Sequence, residues 1–226
     1  MRRGLLALGA AVLGLALAAL VVLWNQPRPL PTAGTAEALA DYGPVPDFQL
    51  TERGGRTVTL ADVRGEVWLA NFIYTECTET CPIQSLQVQR LQEEFAEARD
   101  LRFVSITVDP SHDTPEVLRR YAERYGADAE RWLFLTGPKP AIHALARDGF
   151  KLGVSDVSPA ARSGLPGWPL GPGPAYASHG SGGLILHSPR FVLVDRQARI
   201  RAYHRPDDPD SLARLRENLR ALLAGL

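Results

Sequence analysis

Cys77 and Cys81 are the only cysteines in the chain, and they sit in "TECTETCP" (Thr75–Pro82) with three residues between them and a proline after. Three kinds of chemistry fit such a pair. A disulfide would be a structural staple, but closing so short a loop stabilises a fold by only about 2 kcal/mol in the chain-entropy model. A redox-active dithiol is the second. A strand, a cysteine turn and a helix opening at proline form a setting that lowers a thiol pKa, although redox motifs usually place two residues between the cysteines. The third is a soft metal ion. Cysteines four apart on a starting helix can turn both sulfurs to one ion. Thiolates suit Cu(I), whereas zinc would need four ligands and there is no second cysteine pair. The only methionine is Met1, so a methionine-rich copper site is excluded, and a third strong ligand must come from five histidines, a carboxylate or solvent.

Each histidine also has an ordinary structural reading. His143 falls within an expected helix. His204 precedes Arg205-Pro206 at a strand end and is expected to face solvent. His112 lies in "DPSHDTP", near enough in the fold to approach the cysteines. His179 lies in a glycine-rich stretch, and His187 lies at its exit, in "LILHSPRFVLVD".

These residues need a scaffold, and the patterning supplies one. "EVWLANFIY" before the cysteines reads as a strand buried on both faces. "PIQSLQVQRLQEEFAEA" after them has apolar residues at helical spacing. "LRFVSITVD" is a second strand, and "DTPEVLRRYAERYG" a helix capped by Asp113 or Thr114 and stopped at Gly126. "FQLTERGGRTVTL" is a hairpin around Gly54-Gly55. "RWLFLTG" and "KPAIHALARDG" add a strand and a helix, and "RFVLVD", "RIRAYH" and "DPDSLARLRENLRALLAG" close with a hairpin and a final helix. Alternating strands and helices followed by a hairpin define an α/β domain with a mixed central sheet and flanking helices. Residues 155–183, nearly all Pro, Gly, Ser and Ala, read as one long loop.

The chain divides into an apolar segment over 1–24, a Pro/Ala/Gly-rich linker over 25–44 and one domain over 45–226. The run from Gly4 to Trp24, at about 1.5 Å per residue, is just long enough for a bilayer core of roughly 30 Å. It has no cleavage site at its end, so it reads as an uncleaved single-pass anchor rather than a cleaved signal peptide. Arg2 and Arg3 stay on the cytoplasmic side and place the domain in the bacterial periplasm, where disulfides can form. A composition of 45% hydrophobic and 22% charged residues is globular. A formal net charge of zero, from 25 basic and 25 acidic residues, argues against a nucleic-acid binder.

"YTECTETCP" after a buried strand, "VDPSHDTPEVL" after the next, and His187 ahead of "FVLVD" together resemble the Sco/SenC family of membrane-anchored, thioredoxin-like copper proteins that help assemble cytochrome c oxidase. The resemblance covers about residues 45–225. It implies a thioredoxin-like fold with Cys77, Cys81 and His187 as ligands for copper, as Cu(I) and also as Cu(II), and His179 as a rival to His187. It also implies that Asp109 and Asp113 support the site or form a partner surface. The implied activity is that of a metallochaperone rather than an enzyme, delivering copper to the binuclear copper site of an oxidase subunit. Another periplasmic copper chaperone or thiol reductase is a further partner. The alternative is a periplasmic thiol–disulfide reductase that keeps such cysteines reduced.

Overall fold

The apolar run that leads to the cysteines forms the middle of the sheet. The computed structural model describes residues 39–152, 154–156, 184–186 and 189–225. Strand β3 (Val67–Ile73) is buried along its whole length. It pairs in parallel with β4 (Leu101–Thr107) from Val67–Leu101 to Ile73–Thr107, and antiparallel with β8 (Phe191–Val194) on its other side. Strand β5 (Trp132–Thr136) lies parallel to β4, and the hairpin of β1 (Gln49–Glu52) and β2 (Thr57–Thr59) extends that side. Strand β9 (Ile200–His204) is the far edge, so the order is β2-β1-β5-β4-β3-β8-β9.

Successive side chains of β3 point to opposite faces, and each face has its own core. Trp68, Ala70 and Phe72 meet Ile142, Leu145 and Phe150, from helix α3 (Lys139–Ala144) and the π-helical turn Leu145–Gly149 that ends in Phe150. The Phe150 ring lies edge-on to Phe72 and Trp68, at centroid separations of 5.4 and 5.9 Å. Val67, Leu69 and Ile73 face helices α1 (Thr80–Glu94), α2 (Pro115–Arg124) and α4 (Pro209–Leu223), which contribute Val88, Leu91, Leu118, Tyr121, Leu215 and Leu219. Each such buried side chain stabilises the fold by about 1.5–3 kcal/mol relative to exposure. Both cysteines belong to this second core.

Helix α2 begins at Thr114, whose hydroxyl accepts the Val117 N–H at 3.3 Å, and Gly126 follows it at φ +59°. Thr114, not Asp113, is therefore the cap.

Two segments differ from expectation. Residues 39–44, the end of the expected linker, lie along β9. Tyr42 N–H donates to Ile200 O and Ile200 N–H to Gly43 O, each at 2.9 Å, while Arg201 donates to the carbonyls of Leu39 and Ala40. Backbone pairing to an edge strand needs no apolar periodicity, so composition does not reveal it. At the two ends of the expected long loop, β6 (Val154–Asp156), which takes in its first two residues, pairs antiparallel with β7 (Leu184–Leu186), which follows its last. A pairing between segments so far apart in sequence leaves no local signal. The expected anchor, residues 1–24, lies outside the described residues. Among the described residues no helix is long and apolar enough to cross a membrane.

Candidate metal centre

Strand β3 ends at Ile73 and the chain turns at once, with Cys77 N–H donating to Tyr74 O at 3.2 Å. Helix α1 opens at Thr80, so Cys81 lies in its first turn and Cys77 precedes it. The cysteines are therefore not stacked on one helix face. They converge because the turn folds back, and Cys81 N–H donates to Cys77 Sγ at 3.3 Å. Glu79, at the helix start, provides no side-chain cap. The sulfur accordingly accepts one of the N–H groups that a helix leaves unpaired at its N-terminus. The Thr80 hydroxyl lies 3.8 Å from the same sulfur.

Both thiols are free and buried, with Cys77 8% and Cys81 4% exposed. Their acidities are driven apart. The hydrogen bond from Cys81 holds the Cys77 thiol down to about 4, against the opposing effect of burial, and the backbone N–H groups of Cys81 and Glu79 and the Thr80 hydroxyl assist. Cys81 is pushed up, first because it is the partner in that bond and then by burial. The pair thus holds one proton between two sulfurs at neutral pH. Burial, and then the nearby sulfurs, push the Tyr74 phenol up as well.

No cation assists. There is no Lys or Arg between Arg64 and Arg90, nor between Arg102 and Arg119, although the two stretches carry Glu66, Glu76, Glu79, Asp109, Asp113 and Glu116. The acidity of Cys77 comes from hydrogen-bond donors, and the surrounding charge is negative.

Asp113 joins the cysteine turn to the next strand. It is fully buried, and it accepts from Thr75 N–H at 3.1 Å and from the hydroxyls of Thr75 and Thr107. Burial raises its carboxyl pKa, and the threonine donors oppose that. Thr107 Oγ1 in turn accepts Asp109 N–H at 3.0 Å, and one buried Asp109 oxygen, Oδ1, has no hydrogen-bond partner. His112, from the same loop, lies 3.4 Å from Glu76, the residue before Cys77, with both side chains exposed.

The structure therefore brings together Cys77, Cys81, Asp113 and the loop that carries Asp109 and His112. His187 and His179 lie outside the described residues, and among the described residues no group of three or more His, Cys, Asp or Glu side chains is arranged to hold a metal. His204 departs from expectation. It is 4% exposed, lies 3.2 Å from Asn218 Nδ2, and burial holds its imidazole down to about 4. Its strand carries it under α4, which a strand-end position does not show. Thr75, Thr107 and Tyr74 were not singled out from the sequence. Their one signal was adjacency to the two motifs.

A mixed sheet with helices on both faces, and a thiol pair where the central strand passes into a helix, define a thioredoxin-like domain built around a dithiol. The chain belongs to the SCO1/SenC family, whose model matches residues 38–224. It is 38% identical over 109 residues to the SCO1 protein homolog of Bacillus subtilis, covering 47% of this chain and 56% of that protein. The chain spans about half the length of the curated relatives it matches. Among solved structures it is similar to BsSco, a member of the Sco family of cytochrome c oxidase assembly proteins in which a disulfide switch was identified. The TM-score is 0.63 at 24% identity, covering 82% of this chain and 96% of that one. It is also similar to ScoI of Bradyrhizobium japonicum, solved with copper bound, with a TM-score of 0.57 at 21% identity, covering 77% and 99%.

Proposed function

We propose that this protein is a copper carrier for oxidase assembly, held to the bacterial inner membrane by residues 1–24 with its domain in the periplasm. It binds copper through Cys77, Cys81 and His187 and passes it to the binuclear copper site of a cytochrome c oxidase subunit. The observation that carries this reading is the thiol pair, two free, buried cysteines with Cys81 N–H donating to Cys77 Sγ at 3.3 Å and hydrogen bonding holding the Cys77 thiol down to about 4. Soft thiolates prefer Cu(I), and the donor set fits that ion. The acidic, cation-free loops favour a positively charged cargo. Uptake displaces the proton that Cys81 retains, so ion and proton exchange at one site. Oxidation of the same sulfurs to a disulfide removes both ligands, which couples copper load to redox state. The family, and the copper-bound Bradyrhizobium structure within it, support the reading.

The depressed Cys77 thiol also suits a thiol–disulfide reductase. Such an enzyme needs an accessible attacking sulfur, and both sulfurs here are buried, which favours the carrier. The two readings separate in one experiment. Full-length protein loaded anaerobically with Cu(I) is mixed with the reduced copper-site domain of the oxidase subunit. A carrier gives up one copper per chain. Catalytic reduction of the oxidised domain by copper-free protein, with no transfer from the loaded form, establishes the reductase instead.

A further inference from the structure

Asn71 interrupts the apolar strand β3 and is 1% exposed, as is Gln84 in α1. Buried amides are costly unless paired, and these two are joined into a chain that crosses the sheet. Trp132 Nε1 in β5 donates to Ser105 Oγ in β4 at 2.9 Å, and Ser105 Oγ donates to Asn71 Oδ1 at 2.8 Å. Asn71 Nδ2 donates to Gln84 Oε1 at 3.3 Å, and Gln84 Nε2 reaches Phe72 O at 3.5 Å. An indole N–H can only donate, so Ser105 Oγ accepts from Trp132 and keeps its own proton for Asn71 Oδ1, which leaves Asn71 Nδ2 to donate to Gln84.

This chain links the two mounts of the thiol pair. Asn71 lies on the strand that runs into the Cys77 turn. Gln84 lies three residues after Cys81, on the same side of α1. We propose that Asn71 and Gln84 are positioning residues for the dithiol, locking the first turn of α1 against β3 so that Cys77 and Cys81 are held in hydrogen-bond contact rather than at bonding distance. A disulfide needs its sulfurs at about 2.05 Å. The lock therefore favours the dithiol over the disulfide. The inference goes beyond the carrier reading and does not rest on it, because it concerns the equilibrium of the thiols themselves.

The test is a redox titration of the copper-free, full-length protein in dithiothreitol buffers. Cys77 and Cys81 give two electrons and the one proton they hold at neutral pH to oxidised dithiothreitol, which takes a second proton from the buffer and becomes the dithiol as the protein S–S bond forms and its own S–S bond breaks. Gln84→Met removes the link, and Asn71→Leu/Gln84→Met removes both amides together, which is the gentler change for the fold. Gln92→Leu is the control. It cuts a link from the far end of the same helix, where Gln92 bonds to Gly126 O and Asp128 N–H. Both site variants should shift the equilibrium about tenfold toward the disulfide, about 30 mV for a two-electron couple, with the control unmoved. A double variant that folds with the wild-type potential overturns the proposal, as does a shift toward the dithiol or an equal shift in Gln92→Leu.

Discussion

Replacing Asp113 by Ala tests whether its carboxylate braces the cysteine turn. The side chain is fully buried and accepts three donors. Two of them belong to Thr75, which is half-buried, so water can partly replace the lost acceptor there. Thr107 is fully buried and its hydroxyl is left without its carboxylate partner. An orphaned buried donor costs about 1–3 kcal/mol, so Asp113→Ala should destabilise the reduced, copper-free protein by about 2 kcal/mol in urea unfolding. Cu(I) affinity should fall in the same variant, because Thr75 begins the turn that holds Cys77. The pH dependence has a definite sign. Burial raises the Asp113 pKa, so the folded chain keeps this proton at pH values where the unfolded chain has lost it. Wild-type stability relative to Asp113→Ala should therefore rise as pH falls through the raised folded value toward 3.8, the ordinary one. If Asp113→Ala unfolds within about 0.5 kcal/mol of wild type and binds copper equally well, the brace is refuted.

The Cys77 thiolate should persist well below neutral pH. Its absorbance near 240 nm, lost in Cys77→Ser, should titrate with a midpoint at about 4, and a midpoint above about 7 contradicts the hydrogen-bond account. Burial holds His204 at about 4 against an ordinary value of about 6.5, so the unfolded chain takes up a proton that the folded chain refuses. Stability should fall as pH drops from about 6.5 to about 4, by about 3 kcal/mol in all, and His204→Gln should flatten that part of the urea-unfolding profile. Full-length protein should stay with membranes through an alkaline wash, and a mature amino terminus between residues 18 and 45 would exclude the anchor.

Local pattern made the sheet legible where an element is buried uniformly or alternates cleanly. "EVWLANFIY", "LRFVSITVD" and the hairpin around Gly54-Gly55 all formed as their residues suggested. What stayed hidden depends on partners distant in the chain. Residues 39–44 reach β9 through backbone bonds, and β6 meets β7 across the long loop. The sulfurs are the same kind of case at the site. Their spacing suggested two side chains on one helix face, yet Cys77 lies before the helix and meets Cys81 through a turn. Asn71 was passed over within "EVWLANFIY", which reads as a continuous apolar run, because its role depends on Gln84, Ser105 and Trp132, which come from three other elements.

The most direct test of the copper account is an anaerobic Cu(I) titration of the reduced full-length chain against a competing chelator. One copper should bind per chain. Cys77→Ala and Cys81→Ala should each abolish tight binding, since a single thiolate with one imidazole makes a poor soft site, and His187→Ala should weaken it. Retention of full affinity in either cysteine variant contradicts the account, and loss of affinity in His179→Ala but not in His187→Ala moves the third ligand to His179.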